Sequence, residues 1–144
     1  EGAMSTTLDQ LSLFDAAPVV EDLEMPLIYA YTRAQALEDG VLADVSELAR
    51  EAGFVWPVAL TAAVWALVED IPRRYCAWQT VEGRLYDVLW MAYCAIRSAE
   101  HHGTELRYTL LLDHGRHRYL TLKLVTGPGD HGEPVVTIML PRED

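Results

Sequence analysis

The chain reads as one α+β domain, with helices in the N-terminal two-thirds packed on a C-terminal three-stranded antiparallel β-meander. Three observations lead there. Apolar residues recur at spacings of three and four up to about residue 100 and at a spacing of two after it. Hydrophobic residues make up 51% of the 144 and charged ones 23%, enough apolar surface to offset the ordering of the chain around one core. Clusters of turn-forming residues separate three alternating runs beyond residue 104, as a meander requires.

Glu1-Gly2-Ala3 reads as a vector-derived leader ahead of Met4. Residues 4–24 carry Ala16-Ala17-Pro18 and the acids Glu21, Asp22 and Glu24 without a sustained period, and are expected to form a flexible acidic arm. The single domain is expected over residues 25–144. Leu27-Ile28-Tyr29-Ala30-Tyr31 has strand-like content. Thr32 and Gln35 have capping-box spacing, so a short helix should run to Asp39 and stop at Gly40.

Asp44 and Ser46 each offer a cap to the next helix, in which Val45, Leu48, Ala49 and Ala52 form the buried stripe and Gly53 the stop. Glu47 and Glu51 then project together, about 6 Å apart along the axis. Pro57 suits the first turn of a third helix, apolar nearly all round from Val58 to Val68 and stopped by Ile71-Pro72. Thr80 opens a longer helix whose Val81, Leu85, Val88, Leu89, Ala92 and Ile96 face the core, ending at Gly103 after His101 and His102.

From Glu105, apolar Leu106, Tyr108, Leu110 and Leu112 alternate with polar neighbours in a first strand. Asp113-His114-Gly115-Arg116 reads as a turn, and Leu120, Leu122 and Leu124 alternate with Tyr119, Thr121 and Lys123 in the second strand of a hairpin. Residues 127–132 are a loop by composition, and Val136, Ile138 and Leu140 mark a third strand.

Charge narrows the function classes. The formal net charge is −11, and it is placed unevenly: residues 1–70 hold 13 acids against Arg33 and Arg50, whereas residues 71–144 hold nine of each sign. Such a field repels the phosphates of nucleic acids and membranes but attracts a basic protein surface, including one that normally holds DNA. Direct nucleic-acid or membrane binding is therefore not expected. Asp39, Asp44, Glu47 and Glu51 form the candidate acidic surface, through which the chain would mimic DNA and inhibit a defence nuclease of the restriction or CRISPR type. No apolar run approaches the roughly 20 residues that span a bilayer, and no export leader is evident, so a cytoplasmic location is expected.

Cys76 and Cys94 lack the number and spacing of a disulfide framework or zinc site and are expected to be reduced and buried. The five histidines fall at a helix end and in turns, without a helical pair at metal spacing. No triad, P-loop or dinucleotide fingerprint occurs. The sequence thus assigns no catalytic residue, cofactor or metal ligand, and favours binding over chemistry.

The most informative short string is Gln10-Leu11-Ser12-Leu13-Phe14. It resembles the peptide by which bacterial polymerases and repair proteins dock on the replicative sliding clamp, over the whole pentapeptide and nothing beyond it. The resemblance implies that Gln10 is held by hydrogen bonds at one subsite, while Leu11, Leu13 and Phe14, with Ser12 between them, anchor in an apolar pocket. The alternative is that these apolar residues cover part of the chain's own core.

Residues 29–42 loosely resemble the first strand and helix of ADP-ribosyltransferase-like folds, with Ala30 where that family has a histidine on nicotinamide dinucleotide. A degenerate enzyme, with Tyr31, Arg33 and Asp87 around a cleft, is the rival reading. From about Pro26 to Arg142 the chain resembles a family of uncharacterised bacterial proteins carried on plasmids, integrative elements and prophages. That resemblance rests on the segment from Ile28 to Gly40, on Tyr86-Asp87-Val88-Leu89-Trp90-Met91-Ala92, and on the segment from Leu120 to Pro141. It implies a mobile-element setting and supplies no catalytic residues.

Overall fold

The computed structural model of the protein describes residues 31–100 and 103–144. The arm, the pentapeptide at residues 10–14 and most of the expected strand at 27–31 lie outside the described residues. Arg33–Asp144 forms one compact unit. Its elements are α1 (Arg33–Glu38), β1 (Leu42–Asp44), α2 (Ser46–Ala52), β2 (Val58–Thr61), α3 (Ala62–Glu69), a 3-10 turn (Arg73–Tyr75), α4 (Val81–Ser98), β3 (Glu105–His114), β4 (His117–Pro128) and β5 (Pro134–Met139).

The α+β class holds, but the sheet is not a three-stranded meander. It has five strands in the order β1-β2-β5-β4-β3, with β2 and β5 parallel and the other pairs antiparallel. Strands and helices interleave along the chain instead of segregating into two halves. The expected third helix is split: Val58-Ala59-Leu60-Thr61 is a strand buried at all four positions, and only from Ala62 does the chain turn helical. An apolar run of this length serves equally as a central strand, and the open edge of β5 decides the matter by pairing Val58 with Val136 and Leu60 with Ile138. Thr61 makes the junction, its Oγ1 accepting from the amide of Val64 at the start of α3.

The other expected helices stand, with revised ends. Gly40 and Gly53 carry positive φ and close α1 and α2. Asp44 Oδ1 accepts from the Ser46 amide and hydroxyl ahead of α2. Thr80 Oγ1 accepts from Gly83 N at 3.0 Å and opens α4. This helix stops at Ser98, short of Gly103, because Ala99 is extended at φ −71°, ψ 135°.

One face of the sheet carries Tyr108, Leu110, Leu120, Leu122, Leu124, Val136 and Ile138, packed against Leu85, Val88, Leu89 and Ala92 of α4 and Val64 and Val68 of α3. Tyr108 sends its hydroxyl to the carbonyl of Val88, and burial there pushes its pKa well above the ordinary tyrosine value. Lys123, which the alternation places outward, is buried on the opposite face, its amine donating to the carbonyl of Glu143. The Glu143 carboxylate in turn accepts from Thr61 Oγ1 and Leu140 N, so the segment after β5 covers that face. Cys76, expected to be buried, is exposed, and Cys94 is half-buried.

The β4–β5 connection is tied to α1. Asp130 accepts from the amides of Arg33 and Ala34 at 2.8 and 3.0 Å, and these bonds hold its carboxyl below the ordinary value of 3.8. A carboxylate that binds protons more weakly in the folded state contributes stability above that ordinary value and loses it as pH falls through the lower folded one. The Arg33 and Ala34 amide resonances are therefore expected to keep their native positions on acidification until below about pH 4. In Asp130→Ala that acid transition should be missing; identical titrations of the two proteins would refute the tie.

Candidate functional site

A polar concavity, of about 530 Å³, lies where the N-terminal turn of α4 meets the closed end of the β3–β4 hairpin. Local sequence builds both walls. In the hairpin, Leu111 pairs with Tyr119 and His114 with His117, so Leu112 and Asp113 together oppose the single residue Arg118. Two residues against one make a β-bulge, which re-aims side chains. Here it brings both Leu112 and Asp113 to the wall of the cleft.

The Asp113 side chain is only 10% exposed, and its Oδ1 is buried without a hydrogen-bond donor. Arg118 Nε stands 3.8 Å away, close enough for an ion pair but too far for a hydrogen bond. The expected turn over residues 113–116 is correspondingly shorter: β3 runs on through His114. His114 and His117, paired across this turn, have ring centroids 5.4 Å apart, an association that spacing alone does not reveal.

On the opposite wall Arg84 is buried, 3% exposed. Its Nε donates to the carbonyl of Val68 at 2.8 Å, its Nη2 to those of Leu67 and Asp70 at 2.9 and 3.4 Å, and its Nη1 to Gln79 Oε1 at 3.1 Å. The guanidinium thereby caps the C-terminus of α3, where carbonyls lack helical partners and the dipole favours a cation. Burial lowers its pKa, and Asp70, Asp113 and Asp87 partly offset that. Partial desolvation raises the pKa of Asp87, with Arg84 opposing the shift. Tyr75 and the 68% exposed Trp78 meet edge to face at 5.8 Å at the mouth.

A second cleft, of about 320 Å³, is mainly apolar and lined by Phe54, Trp56, Tyr93, Ile96, Leu106 and Leu124 among others. Phe54 meets Tyr93 edge to face at 6.0 Å, and Trp90 stacks on Tyr93 at 5.9 Å along α4. A third hollow, of about 190 Å³, includes Arg33, Asp44, Asp130 and Glu133. Arg33 donates there to Thr137 Oγ1 and the Val136 carbonyl, at 2.8 and 2.9 Å, which fastens α1 to β5. Burial lowers the Arg33 pKa, with Asp44, Asp130 and Glu133 opposing.

Asp39, Asp44, Glu47 and Glu51 are all exposed. Glu47 and Glu51 lie one turn apart on α2, with Arg50 next to them; Asp44 is partly committed to Ser46. Arg33 and Asp87, placed around one cleft by the enzymatic reading, line different ones. Among the described residues no helix is long and apolar enough to cross a membrane, and no cluster of three or more His, Cys, Asp or Glu could hold a metal ion. The residues that sequence reasoning missed are Arg84, hidden in a regular helical stripe, and Asp113, read as part of a turn.

A family model matches residues 21–144 of the chain, and its description is a family of unknown function (DUF6573). No curated protein and no solved structure matches the chain.

Proposed function

Since the chain belongs to the DUF6573 family, whose matched region starts seven residues beyond Phe14, we propose that it is a non-enzymatic binding protein carrying a sliding-clamp ligand ahead of its family domain. In this reading it is an accessory protein of a mobile element, and residues 10–14 dock it on the host's replicative clamp. The observation that carries the reading is the position of the pentapeptide outside the matched region. A further support is that two charged side chains of the domain serve its architecture: Arg84 donates to carbonyls at the end of α3, and Asp130 accepts from amides at the start of α1.

Titration of purified clamp with the full chain is expected to give micromolar affinity, since a short segment must be ordered on binding, and Leu13→Ala or Phe14→Ala should weaken it by about tenfold or more. Equal affinity for all three proteins would remove this function.

The exposure of Asp39, Asp44, Glu47 and Glu51 supports a second reading, an acidic inhibitor that occupies the DNA groove of a defence nuclease. Its binding would weaken steeply with salt. Glu47→Lys combined with Glu51→Lys should abolish inhibition of the nuclease; inhibition that survives the double reversal rejects the mimic.

A further inference from the structure

We propose that the polar cleft at the closed end of the β3–β4 hairpin is a docking site for an arginine side chain presented by a basic protein partner. This site is separate from the pentapeptide and does not depend on it.

The first ground is the carboxylate of Asp113. Its side chain is nine-tenths buried in the cleft wall, and Oδ1 has no hydrogen-bond donor. An ionised carboxylate only accepts, so what the site lacks is a donor. Arg84 does not supply it: its hydrogen bonds go to Val68, Leu67, Asp70 and Gln79. Arg118 is a poor substitute at 3.8 Å, and its side chain is 71% exposed.

The second ground is the aromatic mouth. Trp78 is 68% exposed, and the Arg74 guanidinium already sits 4.8 Å over the neighbouring Tyr75 ring. Leu111, 55% exposed, adds an apolar side chain to the lining. A charged centre ringed by aromatic and aliphatic surface is the usual setting of an interfacial arginine hot spot.

Charge selects the partner. Residues 33–144 hold 16 acids against 11 bases, a balance of −5 that draws a basic surface towards this unit, and Asp87 adds a second carboxylate to the cleft. Within the lining Arg84 and Arg118 balance Asp87 and Asp113, which keeps single-residue affinity low. A guanidinium suits the site better than an ammonium, because its planar fork bonds a carboxylate and stacks on an indole at once. Arg118 then acts as an internal stand-in that the partner's arginine displaces.

The test follows the Trp78 indole resonance of the full chain by NMR during titration with N-acetylarginine amide, using N-acetyllysine amide and N-acetylnorleucine amide as comparisons. Saturable shifts are expected with the arginine probe, about threefold weaker binding with lysine, and none with norleucine. Asp113→Asn should weaken the arginine probe by about tenfold, Arg118→Ala should tighten it severalfold, and Phe14→Ala should leave it unchanged. Should Asp113→Asn fail to fold, the exposed substitution Arg118→Ala still decides the sign. An absent response, an equal response to norleucine, or weaker binding in Arg118→Ala overturns the proposal. So does concentration-dependent doubling of mass in sedimentation that is abolished by Trp78→Ala, which would assign the cleft to a second copy of this chain.

Discussion

Replacing Arg84 with alanine is expected to cost about 3 kcal/mol of folding stability, read as a lower urea midpoint at unchanged slope. The side chain is 3% exposed and bonds three backbone carbonyls at the end of α3. Its removal leaves those acceptors without partners and opens a void beneath the polar cleft. The loss of a costly buried charge offsets part of this, but buried acceptors without donors outweigh it. Arg84→Lys should recover less than half, because one ammonium cannot span the positions that the fork reaches. A loss below about 1 kcal/mol in Arg84→Ala would show that the cap is dispensable.

Gly53→Ala is expected to cost about 2–3 kcal/mol, combining left-handed backbone strain with steric overlap. Gly53 has φ 123°, and a Cβ there would sit 2.7 Å from the Tyr93 ring. Tyr93 is held in turn by Phe54 and Trp90, so it cannot move aside without disturbing the apolar cleft. Gly40→Ala is the control: φ is 80°, but no atom lies within 4 Å of the added carbon, so backbone strain alone, about 1 kcal/mol, is expected. Equal losses at the two glycines, measured by chemical denaturation, would deny the overlap with Tyr93.

Both positions show how much the sequence discloses. Gly53 is readable as a helix stop, because an apolar stripe precedes it; that Tyr93 packs over it is a contact 40 residues away, invisible to local pattern. Thr80 and the stripe of α4 are legible because propensity, cap and period agree there. The segment from Val58 to Val68 is not, since Val-Ala-Leu-Thr suits a buried strand and a buried helix equally, and the choice is made by strand partners 78 residues downstream. Lys123 obeys the alternation in sequence yet is buried, because the chain after β5 supplies a carbonyl to receive its amine. Asp113 misleads for a related reason: an aspartate beside His-Gly reads as turn chemistry, and only the count of two residues against one across the hairpin reveals a bulge. The acidic positions were legible as exposed; what they meet was not.

The position of β5 also bears on how the molecule is made. It lies between β2 and β4, joining the antiparallel pair β1–β2 from early in the chain to the late β3–β4 hairpin. Until Pro134–Met139 leaves the ribosome, each half presents an unsatisfied ladder of amides and carbonyls to its surroundings, and the parallel join to β2 must then be made across most of the chain. Acquisition of the native state is thus confined to a late moment of synthesis. A truncation before residue 134 should yield not a smaller working protein but two sticky fragments on one string.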